Sequence, residues 1–393
     1  MRTMRSRVPR KLLWVVGAIL LTLLLVGCGK DLPQNTFDPA GPTAQSEKDV
    51  LIVPLIIAGI VFVGVEGGIV FLALKFRHRK GKERMPSQLH GNTRLELGWT
   101  VAPAVLLAVV MVPAISLIWR LADVPPNSMQ ITVQGYQWWW GFQYNDADMT
   151  VEYGDHGPIT TADVLVIPAG QTIDLSLRSE GGAAHSTNGT PDHQVIHSFW
   201  APRLFGKQDV VPGAAGEGNH IVFSAWEPGT YWGQCAEFCG LQHAMMKFRI
   251  IALDATDWAN WVQARKQPAP MPSPGSDAEK GMQVFFGQGP AGEGGGQCIA
   301  CHAIGGAEIN GITAQANAGP NLSDFGNETH ICFAGCDFDT FVPGSDGQLQ
   351  PNYPALQAWL ENPDAVKLGA KMPDYNLSEQ QIKYLMAYLY SLS

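Results

Sequence analysis

The stretch Cys235-Ala236-Glu237-Phe238-Cys239-Gly240-Leu241-Gln242-His243-Ala244-Met245-Met246 carries two thiols, an imidazole and, at its end, the thioether of Met246. A further histidine, His197, stands upstream in V-I-H-S-F-W. Thiolates, imidazoles and a thioether form a soft ligand set, which selects copper or zinc over magnesium or calcium. Cys235, Cys239, His243, Met246 and His197 are too many ligands for one four-coordinate ion, and they suit two metals bridged by shared sulfurs. A tetrahedral zinc site from Cys235, Cys239, His243 and His197 is the alternative. It leaves Met246 and the H-S-F-W segment without a reason. Ligands split between one loop and a distant segment need a rigid scaffold, and the flanking sequence supplies one. Short alternating pieces run from about residue 128 to 255, among them 129–135, 163–170, 172–177, 220–226 and 247–253, with Pro-Gly and Gly-Thr turns between them. Regular short strands of this kind argue for a β-sandwich or barrel.

On these ligands the chain resembles subunit II of the haem-copper oxidases, whose binuclear copper centre (CuA) uses this pattern. The resemblance implies an all-β cupredoxin domain for residues 122–262 and CuA ligation by His197, Cys235, Glu237, Cys239, His243 and Met246. Glu237 would bind copper through its backbone carbonyl, and its carboxylate would face a magnesium ion shared with subunit I. The run Gly135-Tyr136-Gln137-Trp138-Trp139-Trp140-Gly141-Phe142 is similar to the family's G-x-Q-W-x-W segment. By that match Trp138 is the residue through which electrons reach the copper. Aromatics filling one face of a strand are the other reading; Trp140 belongs to the core in either. Lys207 and Asp209 match the family's K-x-D. Where the family often has Asp three residues before the first histidine ligand, this chain has Gln194, with Asp192 nearby.

A second metal motif stands downstream. Cys298-Ile299-Ala300-Cys301-His302 is C-x-x-C-H, the attachment site of c-type haem. A redox dithiol or half a zinc site can share the bare motif. Here Gly319-Pro320-Asn321-Leu322 and Lys371-Met372-Pro373 follow, similar to the cytochrome c segments that back the proximal histidine and bring in the axial methionine. Cys298 and Cys301 are then the covalent haem attachments and His302 and Met372 the iron ligands. A His/Met pair raises the potential and suits electron transfer. Met282 and Met386 sit in helix-like stretches and read as core. Helical pieces at 277–286, 354–362 and 378–392, the last opened by a Ser378/Gln381 capping box, imply an all-α cytochrome c domain over 277–393. A Pro-rich spacer at 263–276 reads as semi-rigid polyproline II.

The chain has 393 residues, 46% of them hydrophobic, enough for two or three domains. Its N-terminus has a positive region, Arg2 to Lys11, and an apolar stretch, Leu12 to Gly27, short for a bilayer span. It ends Leu25-Val26-Gly27-Cys28, which resembles the lipobox of bacterial lipoproteins. Residues 1–27 are thus expected to be a lipoprotein-type signal peptide with Cys28 lipidated; an ordinary signal peptide is the alternative. A short exterior segment, 28–49, follows. Val50 to Leu74 and Leu97 to Trp119 are each long enough to cross about 30 Å of hydrocarbon. Together they give a two-helix transmembrane hairpin over 50–121. The basic loop between them, Lys75 to Arg94, is cytoplasmic by the positive-inside rule, so both termini lie outside. Glu66 lies within the first span, and intramembrane acids are costly and usually paired. Glu96, three residues before Trp99, matches the family's carboxylate at the mouth of a proton channel.

The last of the seven cysteines are Cys332 and Cys336, in C-F-A-G-C. Outside the cytoplasm such a pair reads as a disulfide clamping a loop. A redox-active or metal-binding dithiol is the alternative, and no histidine follows at ligand spacing. From 277 to 393 four lysines face 13 acids, which excludes a nucleic-acid partner for this segment and would steer a basic donor.

The whole reading is a multidomain membrane protein that resembles subunit II of a caa-type cytochrome c oxidase, with a fused cytochrome c. The resemblance implies electron transport in a respiratory chain, at a bacterial cytoplasmic (inner) membrane with both metal domains on the periplasmic face. Electrons would pass from cytochrome c, or from a quinol:cytochrome c reductase, through haem c and CuA. In subunit I, with its companion subunits, oxygen is reduced and protons are pumped. The CuA subunit of a nitric oxide reductase and a membrane-tethered copper-delivery protein are the competing readings.

Overall fold

A computed structural model describes residues 32–77, 88, 91–153, 157–179, 195–213, 218–289, 294–315, 318–345 and 348–392. The signal-like segment, Cys28, most of the basic loop, Asp192 and Gln194 lie outside the described residues.

Two long helices come first, α1 (Pro42–Lys75) and α2 (Thr93–Leu121). Each holds an apolar stretch, of mean hydropathy 2.5 and 2.6, and is long and apolar enough to cross a membrane. Apolar side chains are exposed all round both, as in a helix whose solvent is lipid. Asn92 caps α2, its Oδ1 accepting from the Arg94 and Leu95 amides at 3.1 and 3.3 Å. Helix α1 starts eight residues before the apolar run expected from Val50. Its first turns do not face lipid but dock on the β-domain: Thr43 donates to Val222 O at 2.9 Å and Glu47 accepts from the Gly206 amide at 3.0 Å. Gly41 lies so close to Ser224 O that a Cβ would meet it at 2.1 Å.

The β-domain is built from β1 (Met129–Tyr136), β2 (Trp139–Tyr144), β3 (Thr160–Ala162), β4 (Val164–Pro168), β5 (Ile173–Ser179), β6 (His197–Ala201), β7 (Phe205–Val210), β8 (His220–Phe223), β9 (Gly229–Cys235) and β10 (Lys247–Leu253). They form two five-stranded sheets, ordered β3-β2-β1-β5-β8 and β4-β10-β9-β6-β7. The five pieces expected as strands all fall on strands. Alternate residues turn inward, so Trp140, Phe142, Phe199 and Phe248 meet between the sheets, Phe199 and Phe248 stacked at 3.9 Å and Trp140 edge-on to both. This is a cupredoxin-like sandwich.

The expected linker begins later than residue 263. Helix α3 (Ala255–Lys266), capped by Asp254 through the Thr256 and Asp257 amides, runs on to Lys266. The extended proline segment starts at Gln267.

The C-terminal part is not all-α. It has the helices α4 (Asp277–Phe285), α5 (Tyr353–Glu361), α6 (Pro363–Val366) and α7 (Glu379–Leu389). It also has three two-stranded hairpins, β11 (Ala303–Ile309) with β12 (Ile312–Gln315), β13 (Cys332–Phe333) with β14 (Phe338–Asp339), and β15 (Phe341–Pro343) with β16 (Leu349–Pro351). The first hairpin turns at Asn310-Gly311, both at positive φ (52° and 81°), which an Asn-Gly turn permits. The helical scaffold itself is present. Gly281 lets α4 cross α7 so closely that a Cβ would lie 2.0 Å from Tyr384 O. Ser378 and Gln381 form a complete capping box, and Met282 and Met386 are buried core.

Candidate metal centres

The antiparallel pair β9–β10 ends where the Cys235–Met246 loop begins, and the Cys235 amide donating to Met246 O at 2.8 Å closes the loop at its neck. Residue 197 opens β6, the strand beside β9, and the Ala236 amide bonds Ser198 O at 2.9 Å. The sandwich therefore brings a ligand from one strand against a loop 38 residues away.

The donor atoms converge. Cys235 Sγ lies 3.8 Å from Cys239 Sγ and 3.9 Å from His197 Nδ1; Cys239 Sγ lies 3.8 Å from both His243 Nδ1 and Met246 Sδ. Glu237 O is 3.2 Å from Cys235 Sγ. His197, Cys235, Cys239 and Met246 are buried. The Cys239 thiol donates to Cys235 and holds the Cys235 pKa down at about 3, while its own is pushed up. A cation between the sulfurs stabilises both as thiolates. Two soft sulfurs at the centre, with nitrogens and a thioether at the ends, fit a bridged metal pair.

Trp138 lies against this centre. Its Nε1–H and the Gln137 side-chain amide both donate to the carbonyl of Cys239, at 2.9 and 2.8 Å. Gly240, at φ +118°, admits the indole: a Cβ there would lie 2.9 Å from the Trp138 ring. Trp140 is core. Gln137 was inside the quoted aromatic motif, but its bond to the ligand loop needed the fold. The structure does not bring Lys207 or Asp209 to the cluster. They sit on β7, Lys207 exposed and Asp209 paired in register with Ser198. Glu96 is exposed in the first turn of α2 and accepts from the Asn92 amide at 3.2 Å; Glu66 is exposed in the C-terminal third of α1.

The C-x-x-C-H motif borders a pocket that is partly open to solvent. Cys298, Cys301, His302 and Met372 all line it. His302 Nδ1–H donates to Pro320 O at 2.8 Å, which leaves Nε2 for a ligand and orients the ring. Desolvation pushes the His302 pKa down, so the ring is the neutral imidazole that a metal needs. Gly319 has to be glycine, since a Cβ would come within 2.8 Å of the His302 ring. Burial pushes the Cys298 thiol up to about 12, unlike an activated redox dithiol. A pocket lined by two thiols, an oriented imidazole and a thioether fits a covalently attached haem. The same cavity is lined by Trp138 and Lys371, and the Lys371 ammonium lies 6.0 Å from the Trp138 ring.

Cys332 and Cys336 are joined in a disulfide. Near it, buried Arg265 of α3 pairs with buried Asp324 at 3.4 Å, and His330 lies 3.4 Å from the other carboxylate oxygen. Burial alone would raise the Asp324 pKa, but Arg265 and His330 hold it at about 2. A carboxyl whose folded pKa lies below its unfolded value of 3.8 adds stability above that value and loses it as pH falls towards 2. Asp324→Asn is expected to cost about 2 kcal/mol at pH 7. Urea unfolding at a series of pH values should show the difference vanishing near pH 2; a constant difference would contradict the assignment.

Two apolar helices carrying a β-sandwich with a buried sulfur and nitrogen cluster define a membrane-anchored metalloprotein. Residues 129–253 match the family model described as cytochrome c oxidase subunit II, periplasmic domain, and residues 32–117 match its transmembrane domain. The chain is 34% identical over 379 residues to cytochrome c oxidase subunit 2 of Alkalihalophilus pseudofirmus, covering 95% of this chain and 94% of that one. It is 31% identical over 388 residues to the protein of the same name from Bacillus sp. (strain PS3), covering 95% of each. The crystal structure of the periplasmic domain of subunit II of cytochrome oxidase of Bradyrhizobium japonicum is similar at 24% identity, with a TM-score of 0.29, over 37% of this chain and 97% of that one. The chain belongs to the cytochrome c oxidase subunit II family, and it is one subunit of an oxidase complex whose copper site falls on the His197, Cys235 and Cys239 group.

Proposed function

We propose that this chain carries electrons from an external donor through a c-type haem to a binuclear copper centre, and on to subunit I for oxygen reduction and proton pumping. Cys298, Cys301, His302 and Met372 hold the haem; His197, Cys235, Glu237 O, Cys239, His243 and Met246 hold the copper pair. When bound, the two groups would supply one-electron transfer, with no bond made or broken. The chain's own residues fix both groups. Ligands on a rigid sandwich move little when the charge changes.

The single observation that carries this reading is Trp138, which lines the C-x-x-C-H cavity and donates a hydrogen bond to the carbonyl of the copper ligand Cys239. One side chain bridges the two sites. Trp138→Phe keeps a ring there and removes the N–H donor. Haem-to-copper transfer is expected to slow about tenfold, the equivalent of one hydrogen bond's worth of barrier. Haem reduction by the external donor should not change. Rapid-mixing absorbance of both centres measures the two rates, and equal slowing of both would contradict a bridging role.

The same reading gives Glu96 the cytoplasmic mouth of a proton channel in subunit I and the Glu237 carboxylate a share in a magnesium site with that subunit. Both metal domains lie on the periplasmic face, and Cys28 carries lipid. The donor is a soluble or membrane cytochrome c, or a quinol:cytochrome c reductase.

A further inference from the structure

Between Asn327 and α5 the chain builds the β13–β14 and β15–β16 hairpins, and Phe333, Ala334 and Gly335 of the first line the haem cavity. The tip of the first, Cys332 to Cys336, is closed by the disulfide and has three successive residues in the left-handed region, Ala334, Gly335 and Cys336, at φ 55°, 69° and 54°. This tight curl points its backbone at the copper domain. The Gly335 amide donates to Asp163 Oδ2 at 2.9 Å, and Gly335 O accepts from the Lys247 amide at 3.0 Å. Asp163 is itself held in the sandwich by the Trp140 amide, which donates to its Oδ1 at 3.0 Å.

Lys367, which follows α6, crosses the same boundary. It is 1% exposed, and its ammonium donates to Ala334 O and, at 3.2 Å, to Met245 O, next to the copper ligand Met246. Asp337 supplies the counter-charge, 3.6 Å from Lys367 and 2.6 Å from Lys247. Gln242, in the copper loop, donates to Lys367 O at 3.2 Å. A buried ammonium is costly unless paired and hydrogen-bonded, and its recognised use is to specify one arrangement over others. Gly335 sits at the centre of this contact. A Cβ there would lie 2.9 Å from Met245 O, 3.0 Å from Lys367 Nζ and 3.0 Å from Trp138 O. The loop therefore touches the copper loop, the bridging tryptophan and the sandwich at once.

We propose that the Cys332–Cys336 loop and Lys367 form an internal docking latch that seats the haem cavity on the Trp138 face of the copper domain. The face is then occupied by this chain's own C-terminal domain, and a diffusible donor meets that domain instead of Trp138. Lys367, Gly335 and Asp163 are positioning residues. The consequence for electron transfer rests on the haem-to-copper reading above; the latch itself does not.

The test uses the full chain in the purified complex, with Lys367→Met to remove the buried charge and Gly335→Ala to wedge the contact without touching either core. Two measurements are made on each: hydrogen exchange at the amide of residue 335, and the haem-to-copper transfer rate. Both variants are expected to lose protection at that amide and to slow the transfer about tenfold or more, as the docked fraction falls. The haem potential, the copper spectrum and haem reduction by the external donor should stay as in the parent, which general damage would not allow. Unchanged protection in both variants would overturn the latch, and lost protection with an unchanged transfer rate would overturn its role in electron transfer. If the parent complex shows no haem-to-copper transfer, the proposed route fails, and exchange at Gly335 alone then decides the latch.

Discussion

Serine at Cys235 or at Cys239 will abolish the copper pair, leaving at most a single bound ion. The two sulfurs stand 3.8 Å apart at the centre of the cluster, with His197 and Cys235 on one side and His243 and Met246 reaching Cys239 on the other. On the proposed assignment each thiolate would serve both metals, so neither could be replaced by a hydroxyl, which stays protonated and is a hard ligand. Copper analysis and paramagnetic resonance of the loaded variants measure this. The parent should give a mixed-valence signal with the unpaired electron shared between two copper nuclei, and either serine variant a single-copper signal or none. A single-copper signal from the parent would contradict the assignment outright. Met246→Leu should differ in kind. A thioether is a weak ligand that tunes, so the pair should persist with a shifted potential.

Leucine at Met372 is expected to have the largest effect on the other site. Cys298, Cys301 and His302 remain, so haem stays covalently attached. The potential should fall by a sizeable part of the roughly 0.8 V that axial ligands span, because the thioether is what raises it. Electrons from the external donor should then reach copper slowly, while electrons injected directly into the copper pair still reach oxygen. Redox titration of the haem band with steady-state turnover decides it. An unchanged potential would mean that Met372 is not the ligand; an unchanged turnover would mean that the haem lies off the main path.

What could be read from the chain was what the chain keeps together. The copper loop carries all but one of its proposed side-chain ligands within one short run, and C-x-x-C-H is contiguous, so both motifs were legible before any fold was known. The membrane helices were legible from composition, but the start of α1 was not. Its first turns are polar and are held by Glu47 and Thr43 against strands about 160 to 180 residues away. The spacer was placed too early because Gln263 to Lys266 complete a helix whose start is set by Asp254. Asn310-Gly311 was a legible hairpin signal in a domain taken as wholly helical. Asp163 and Lys367 carry no local signal at all. They acquire meaning only when the sandwich and the C-terminal part are brought face to face, since contacts across 172 and 122 residues leave no periodicity behind.

The central claim is that one chain holds two centres in series. Rapid mixing of the oxidised complex with a reduced external donor, following haem and copper absorbance separately, tests it most directly. Haem should be reduced first, at a rate that rises with donor concentration. Copper should follow at a rate independent of protein concentration, because the linker and the docked interface make that step intramolecular. Copper reduced before haem, or at a rate proportional to donor concentration, would contradict the account.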